Sequence, residues 1–331
     1  QVAHLGQAPS LFPRLLLQMT TGSAAVTGGR MMRWQKQRRT SGVLAAGASV
    51  CVLMVAGVLR HAPRALDMAE DEKGVHTLVL LRHGESQWNL ENRFTGWVDV
   101  DVTEKGAAEA ANAGRLMRDA NITVDEAFTS LQKRAIKTLG LALEEMDLLW
   151  IPVTKTWRLN ERMYGDLQGM NKAETTEKFG EEQVTQWRRS FDVPPPPIAD
   201  DSPYHPKLEA KYASVPKWQM PTAESLQLTI RRVLPFWRSA IAPELKKGKK
   251  VLIAAHGNSL RALVKYLDDV PDDKIIKLNI PTAVPLVYKL NWRLKPIPLP
   301  DHAAGLSGRY LGDPEWVDAK INGVANQAKA R

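Results

Sequence analysis

The stretch TLVLLRHGES, residues Thr77–Ser86, decides the fold. Its apolar, β-branched run predicts a buried strand, and an arginine and a histidine follow where the strand gives way to a glycine turn. The pattern recurs as VLIAAHGNS at residues 251–259, again before a helical segment. Ligands of open α/β sheets collect at the carboxyl ends of the strands. If the two strands lie side by side, they present His83 and His256 to one pocket.

The segments that follow the first of these strands alternate between helix and strand character. The patterns predict a helix over residues 103–119, a strand over 127–129 and a helix over 133–149. We therefore expect an α/β fold, a three-layer sandwich with a mostly parallel central sheet and helices on both faces. Residues 192–217 are rich in proline and cannot form a helix or a central strand. They predict an ordered surface excursion near the site or a flexible lid.

The residues around the two histidines favour phosphoryl chemistry. Each histidine is followed by glycine and a polar residue at the start of a helix, where free amides and the helix dipole favour an anion. Arg82 adds a guanidinium that matches phosphate oxygens. No carboxylate or cysteine stands at ligand spacing beside either histidine, which disfavours a metal site. We expect one neutral imidazole to attack phosphorus and the other to donate to the transferring group.

At this point the motifs carry a family resemblance. Residues 76–330 resemble the histidine phosphatase superfamily, and most closely its cofactor-dependent phosphoglycerate mutases. The segments that carry the resemblance are Arg82–Glu85, Ser86–Asn89, Asn92–Trp97, Thr129–Ser130, Arg134–Ile136, Trp157–Arg162, Tyr164–Gly165, Leu167–Gly169, Asn171–Lys172, Trp187–Ser190, Ala255–Leu263 and Ile280–Thr282. The last residues, 323–330, resemble the tail that covers the site in this family.

The resemblance implies catalytic roles that these residue types can fill. His83 would be the nucleophile that becomes phosphohistidine, and His256 would hold the phosphoryl group. Glu161 would exchange the proton of the substrate hydroxyl, because a carboxylate in a cationic pocket can do so. The equatorial phosphoryl oxygens would be bound by Arg82, Arg134 and Asn89. Read without the resemblance, Glu161 could equally form a surface salt bridge.

The resemblance also implies a substrate site and a priming cofactor. Lys172, Arg188 and Arg189 would bind the carboxylate and second phosphate of a phosphoglycerate, although the two arginines could instead form a solvated helix face. The priming phosphoryl donor would be 2,3-bisphosphoglycerate, with no metal. Further substrate contacts are expected from Ser86, Thr95, Gly96, Tyr164, Gly257 and Asn258.

Two residues depart from the family pattern. Met163 stands where relatives usually have histidine, beside the expected acid/base, and could alter proton transfer or pocket polarity. Ala283 stands where relatives usually have glycine, so it could strain a backbone position that needs a positive φ. Neither change removes an expected phosphoryl ligand.

The net charge of +9 belongs almost entirely to the amino-terminal part of the chain. Residues 1–66 contain eight lysines and arginines and no acidic residue, so the rest of the chain is nearly neutral. This distribution argues against a nucleic-acid partner. Residues 1–41 have the composition of an organellar transit peptide. The lone cysteine, Cys51, excludes an internal disulfide.

Residues 42–59 form an uncharged apolar run that would reach about 27 Å as a helix, against a hydrocarbon core of about 30 Å. We expect a transmembrane helix, a retained anchor in preference to a cleaved signal beginning at Met31–Met32. Residues 60–75 would be a linker and 76–331 the catalytic domain. An organellar membrane is the expected location, the mitochondrion before a plastid or secretory membrane, with the cytoplasm as the alternative.

The sequence therefore predicts a membrane-tethered phosphoglycerate mutase that interconverts 3-phosphoglycerate and 2-phosphoglycerate. Two alternatives stay open. One is a mutase-like accessory subunit of an organellar membrane complex with little or no activity. The other is a phosphatase of the same superfamily that acts on another substrate. A homodimer or membership of a membrane complex is expected from the resemblance and from the apolar segment.

Overall fold

The computed structural model describes residues 74–303 and 305–326, and the elements named here lie in those ranges. The strands are β1 His76–Arg82, β2 Glu126–Thr129, β3 Val153–Lys155, β4 Val251–Ala255, β5 Leu286–Leu290, β6 Pro296–Ile297 and β7 Arg309–Tyr310. The helices are α1 Gln87–Leu90, α2 Glu104–Asp119, α3 Lys133–Glu145, α4 Lys172–Phe179, α5 Glu181–Arg189, α6 Leu226–Phe236, α7 Ala242–Lys246, α8 Gly257–Leu267, α9 Asp272–Ile275 and α10 Pro314–Asn326.

Alternate residues of β1 contribute their side chains to two separate hydrophobic cores. Leu78 and Leu80 pack with residues of α6 and α8 on one face of the sheet. Val79 and Leu81 pack with residues of α2 and α3 on the other face. All four side chains are buried, and each contributes about 1.5–3 kcal/mol of transfer free energy. The strand is apolar throughout because both of its faces are covered, which confirms the predicted layers of helices on both sides.

The sheet is mixed, which corrects the expectation of a mostly parallel one. Its order is β3–β2–β4–β1–β5–β6, with β7 also paired to β5. Strands β1 to β4 are mutually parallel where they pair, whereas β5 is antiparallel to β1 and to both later strands. The reason lies before β5, where the Ala283 amide donates to the Arg82 carbonyl at the carboxyl end of β1. A strand that starts at that edge of the sheet must run back along it.

The two predicted helices after β1 are present with different ends. The Thr103 hydroxyl accepts the Gly106 amide as the N-cap of α2, so the helix itself begins at Glu104. Helix α3 ends at Glu145, four residues before the predicted Leu149. The chain leaves the helix there because Asp147 has φ +55°, a left-handed conformation that a helix cannot contain.

The proline-rich residues 192–217 form an ordered excursion, one of the two predicted alternatives. Apart from short 3₁₀ turns they contain no helix or strand. Their apolar side chains Ile198, Tyr212 and Val215 are buried in one cluster with Trp97 and Met163. Because the Met163 side chain is fully buried in this cluster, it lies outside the set of side chains that line the cavity described below.

Ala283 adopts φ +49°, so the predicted conflict with a glycine-like backbone position is confirmed. Its methyl group is buried, which offsets part of the strain of about 1–2 kcal/mol. We expect Ala283→Val to destabilise the chain by about 2–4 kcal/mol, because a β-branched residue adds strain and overpacks the core. Ala283→Gly should stay within about 1 kcal/mol of wild type, since strain relief and the lost methyl nearly cancel. Urea unfolding measures both, and equal stability of the two variants would contradict the strained geometry.

The predicted extension, residues 1–41, the apolar segment 42–59 and most of the linker lie outside the described residues. Within residues 74–303 and 305–326, none of the helices has the length and apolarity to cross a bilayer.

Candidate active site

The parallel pairing of β1 with β4 brings the two histidines together. Arg82 is in register with Ala255, so the next residue on each strand emerges at the same edge of the sheet. The rings of His83 and His256 are 5.0 Å apart between centroids and inclined by 55°. Both side chains are buried, and His83 lines a cavity of about 750 Å³, its open mouth included.

The environment of His83 selects one form of the imidazole. Its Nδ1 lies 2.7 Å from the Gly84 carbonyl oxygen, which can only accept a hydrogen bond. The proton therefore lies on Nδ1, and Nε2 keeps its lone pair. Burial, with the neighbouring charges of Arg134 and Arg82, holds the pKa of His83 well below its usual range. Hence the ring is neutral at physiological pH, as a nucleophile must be.

His256 is held at one nitrogen and left without a partner at the other. Its Nε2 lies 2.8 Å from the hydroxyl oxygen of Ser130, a residue to which the sequence reading assigned no role. Its Nδ1 is buried with no hydrogen-bond partner among the described residues. Burial and the Arg134 charge also hold the pKa of His256 well below its usual range. His256 is fully buried and is not itself among the residues that line the cavity.

Arg82 and Arg134 line the cavity with His83 and leave part of their hydrogen-bonding capacity unused. Nη1 of Arg82 donates to the Ile280 carbonyl at 2.8 Å. Nη1 and Nη2 of Arg134 donate to the carbonyls of Val98 and Gly96, each at 2.9 Å. The Nε atoms of both arginines are buried and unpartnered in the described part of the chain. Two guanidinium groups in this state match the oxygens of a phosphoryl group.

Glu161 lines the cavity and is fixed through one oxygen. Its Oε1 accepts hydrogen bonds from the Asn258 side chain at 2.8 Å, the Asn258 amide at 3.2 Å and the Arg162 amide at 2.7 Å. The described hydrogen bonds to this carboxylate all end on Oε1. The arrangement leaves Oε2 able to exchange a proton with a ligand.

A second group of cations lines the same cavity. Lys172, Arg188 and Arg189 belong to it, as the resemblance implied. Burial, with the charges of Arg188 and Arg82, lowers the pKa of Lys172 to about 7. Burial and the neighbouring charges lower the pKa of Arg188 to about 10. Lys172 is buried and the two arginines are half-buried, so a fully solvated helix face does not describe them.

Two further arginines, Arg93 and Arg261, also line the cavity. Both stand in the family motifs, but the sequence predicted no role for them. The Arg261 side chain is 7% exposed and donates to the Asn258 side chain at 3.0 Å. Burial and neighbouring cations lower its pKa to about 9. Among the described residues that line this cavity there are seven cationic side chains and one carboxylate. The cavity is therefore built for a polyanion.

The remaining predicted contacts divide into two groups. Asn89, Thr95, Gly96, Tyr164, Gly257 and Asn258 line the cavity. Ser86 does not, because its hydroxyl caps α1 and lies 2.9 Å from Oδ1 of Asn89. It therefore orients the Asn89 amide rather than a ligand. Val324 of α10 also lines the cavity, so the described part of the predicted tail reaches the site.

Solved structures of similar fold include three bacterial proteins. A mycobacterial glucosyl-3-phosphoglycerate phosphatase is 21% identical, with a TM-score of 0.50, over 67% of this chain and 93% of its own. A putative alpha-ribazole-5'-P phosphatase from Escherichia coli is 20% identical, with a TM-score of 0.51, over 72% and 97%. Bacillus stearothermophilus YhfR is 24% identical, with a TM-score of 0.51, over 67% and 94%. These likenesses show the fold.

The family follows from a separate comparison. The model of branch 1 of the histidine phosphatase superfamily matches residues 78–206 and 199–292, which together span most of the catalytic domain. Members of this superfamily transfer phosphoryl groups through a phosphohistidine. The neutral His83, its histidine partner and the surrounding arginines have the chemistry that such a step needs. The chain belongs to the histidine phosphatase superfamily, branch 1.

Proposed function

We propose that this chain is a phosphoglycerate mutase that interconverts 3-phosphoglycerate and 2-phosphoglycerate through phospho-His83. The observation that carries the proposal is the second group of cations that line the cavity, the buried Lys172 and the half-buried Arg188 and Arg189. A phosphate monoester without a second anionic group would leave these charges unpaired. A phosphoglycerate supplies a carboxylate as well as its phosphate, and its bisphosphate supplies one phosphate more.

The residues present suit the priming donor 2,3-bisphosphoglycerate. The unpartnered Nε atoms of Arg82 and Arg134 can bind one phosphoryl group beside His83. The second cationic group can bind the rest of the molecule. When bound, this donor would supply the phosphoryl group that loads the enzyme, and no metal is required for that step.

The transfer step can be written from the protein's own groups. Nε2 of His83 attacks phosphorus, so a P–N bond forms while the bond from phosphorus to the leaving oxygen breaks. The leaving oxygen takes its proton from the Glu161 carboxyl group. Arg82 and Arg134 neutralise the charge on the equatorial oxygens. In the return step Glu161 takes the proton from the free hydroxyl of 3-phosphoglycerate, and that oxygen takes the phosphoryl group as the P–N bond of phospho-His83 breaks. Nε2 of His83 then attacks the phosphorus at the other position, the leaving oxygen regains the proton from Glu161, and 2-phosphoglycerate is released with His83 loaded again.

A phosphatase is the second candidate, and the open Oε2 of Glu161 favours it because the same carboxylate could activate water. Two of the solved structures bear phosphatase names, one of them for a phosphoglycerate derivative, although their identity of 20–21% supports only the fold. Incubation of the purified full chain with 3-phosphoglycerate, with and without 2,3-bisphosphoglycerate, separates the candidates. We expect bisphosphate-dependent 2-phosphoglycerate in excess of free phosphate. An excess of free phosphate over 2-phosphoglycerate would instead support the phosphatase as the function of the chain.

The double variant Arg188→Gln, Arg189→Gln tests the second cationic group directly. We expect kcat/KM for 3-phosphoglycerate to fall about 10²-fold, because two charge-assisted hydrogen bonds are lost. Turnover of p-nitrophenyl phosphate should change little, since this monoester has no second anion. Equal losses on both substrates would remove the support for phosphoglycerate specificity.

The lowered pKa of Lys172 predicts a pH-dependent affinity. At about 7 the pKa leaves Lys172 charged below neutrality and neutral above it. Binding of an anion favours the charged form, so the Kd for 3-phosphoglycerate should rise with pH. Proton linkage gives an increase of about five-fold between pH 7 and pH 8. Calorimetric titration at both pH values measures the change. Lys172→Met should bind more weakly at both and lose the slope, and a slope that persists in this variant would assign it to another group.

We further propose that residues 42–59 tether the domain to an organellar membrane. The support is their uncharged apolar composition beside a basic, acid-free segment. Fractionation of the native source with mutase assays on each fraction tests this. Activity confined to a soluble fraction would count against the tether, and a stable membrane complex without activity would favour the accessory subunit.

A further inference from the structure

The segment that carries Glu161 has little regular structure of its own. Residues 157–159 form a 3₁₀ turn, and residues 160–164 contain no helix or strand. Backbone groups in such a segment must be satisfied from elsewhere. The Glu161 amide donates to Oε1 of Gln132 at 2.8 Å. Other backbone groups of the segment are bound by one ion pair from the region of α6.

That ion pair joins Glu224 and Arg232. Nε of Arg232 lies 2.6 Å from Oε1 of Glu224, and its Nη2 lies 2.8 Å from Oε2. The two side chains are 4% and 7% exposed. The contact is therefore bidentate and buried, and removal of either charge would leave the other without its counter-ion.

The same two residues form hydrogen bonds to the backbone of three residues in the Glu161 segment. Arg232 donates from Nη1 to the Arg158 carbonyl at 2.7 Å and from Nη2 to the Glu161 carbonyl at 2.9 Å. Oε2 of Glu224 accepts the Met163 amide at 2.8 Å. The Glu224 amide donates to the Met163 carbonyl, also at 2.8 Å. The backbone on both sides of Glu161 is thus fixed to one pair of charges.

We propose that the Glu224–Arg232 pair positions the Glu161 carboxylate for proton exchange with the substrate hydroxyl. The inference rests on the proposed function. Neither residue lines the cavity, so both act through Glu161 and are positioning residues. The expected phosphoryl ligands are other side chains, on β1, α3 and the segment after β4. The Arg232 charge also helps to lower the pKa of His256, so a variant that keeps this charge isolates the effect on Glu161.

Two substrates with different leaving groups distinguish a positioning role of the ion pair from a purely structural one. When the P–O bond of a phosphoglycerate ester breaks, an alkoxide leaves and needs the Glu161 proton. When p-nitrophenyl phosphate reacts at His83, a stabilised phenolate leaves and needs no proton. A displaced Glu161 therefore slows the first reaction and spares the second, whereas a damaged fold slows both.

Arg232→Lys in the full chain is the test. Lysine keeps the positive charge but lacks the planar guanidinium group, which donates to Glu224 and to the carbonyls of Arg158 and Glu161 at once. Misplacement of a catalytic group by about 1 Å can cost about 10²-fold. We expect a fall of up to about 10²-fold in kcat for 3-phosphoglycerate, with KM and p-nitrophenyl phosphate turnover little changed. Arg231→Lys is the matched control, since Arg231 lies on the exposed face of the same helix. It should behave as wild type.

Glu224→Gln repeats the test with a side chain of the same shape, in case Arg232→Lys folds poorly. It should show the same selective loss. Parallel loss on both substrates in both variants, with or without loss of the thermal transition, would overturn the inference and leave only structural support. Unchanged kcat on both substrates would also overturn it. A wild-type chain that transfers nothing from phosphoglycerate would instead refute the proposed function.

Discussion

His83→Ala abolishes phosphoryl transfer, and we expect kcat to fall by at least about 10⁴-fold. The variant removes the proposed nucleophile, the neutral Nε2 set by the hydrogen bond from Nδ1 to the Gly84 carbonyl. The partner histidine cannot replace it, because His256 is fully buried and is not among the residues that line the cavity. The phosphorylated form should also disappear. Intact-mass measurement after mixing with 2,3-bisphosphoglycerate detects it in the wild type.

His302→Ala serves as the control for His83→Ala. His302 is exposed and its ring bonds to the Leu299 carbonyl at 3.0 Å, so its loss should leave transfer and phosphorylation intact. A His83→Ala protein that still gains a phosphoryl group would place the nucleophile elsewhere and contradict the mechanism.

Glu161→Gln should lower kcat for 3-phosphoglycerate by about 10²–10⁴-fold, the range for loss of general acid–base catalysis. The amide oxygen of glutamine can still accept the hydrogen bonds from Asn258 and Arg162, so the segment should keep its shape. What it loses is the exchangeable proton. Turnover of p-nitrophenyl phosphate should therefore fall much less than that of phosphoglycerate, and steady-state assays on the two substrates measure the contrast.

Glu177→Gln is the matched control, because Glu177 is an exposed residue of α4 outside the cavity. Its kinetics should equal those of wild type. If Glu161→Gln retained full activity on 3-phosphoglycerate, another group would have to carry the proton. The next candidate would be Tyr164. Burial acts to raise the pKa of its phenol, yet the pKa lies below the usual value because of Arg162.

Much of the fold was predictable from residue pattern. The apolar run before His83 and its repeat before His256 predicted two buried strands, and periodicity predicted α2, β2 and α3. The direction of β5 was not predictable, because it depends on the Ala283–Arg82 contact between residues far apart in sequence. The end of α3 was missed because a left-handed Asp147 has no strong signal in a single sequence.

The family motifs predicted most residues of the candidate site, but they did not predict what each residue contacts there. Ser86 stands in a catalytic motif, and only the structure shows that it orients Asn89. Met163 seemed able to change the pocket, and only the structure places its side chain in a separate apolar cluster. Arg93 and Arg261 stand in motifs as ordinary cations. Arg261 reaches the cavity through the packing of α8. Arg93 reaches it because its part of the chain packs against the segment before α4.

By itself the sequence determined the local chemistry: strands that end in histidine, glycine turns at helix starts, and an acid-free amino-terminal segment, because these follow from neighbouring residues. Tertiary structure alone decided which charges share a low-dielectric cavity. Packing of the two parallel strands brings the imidazoles within 5.0 Å, and burial lowers the pKa of Lys172 to about 7. The physical reason is that desolvation and charge proximity depend on distances between residues that are remote along the chain.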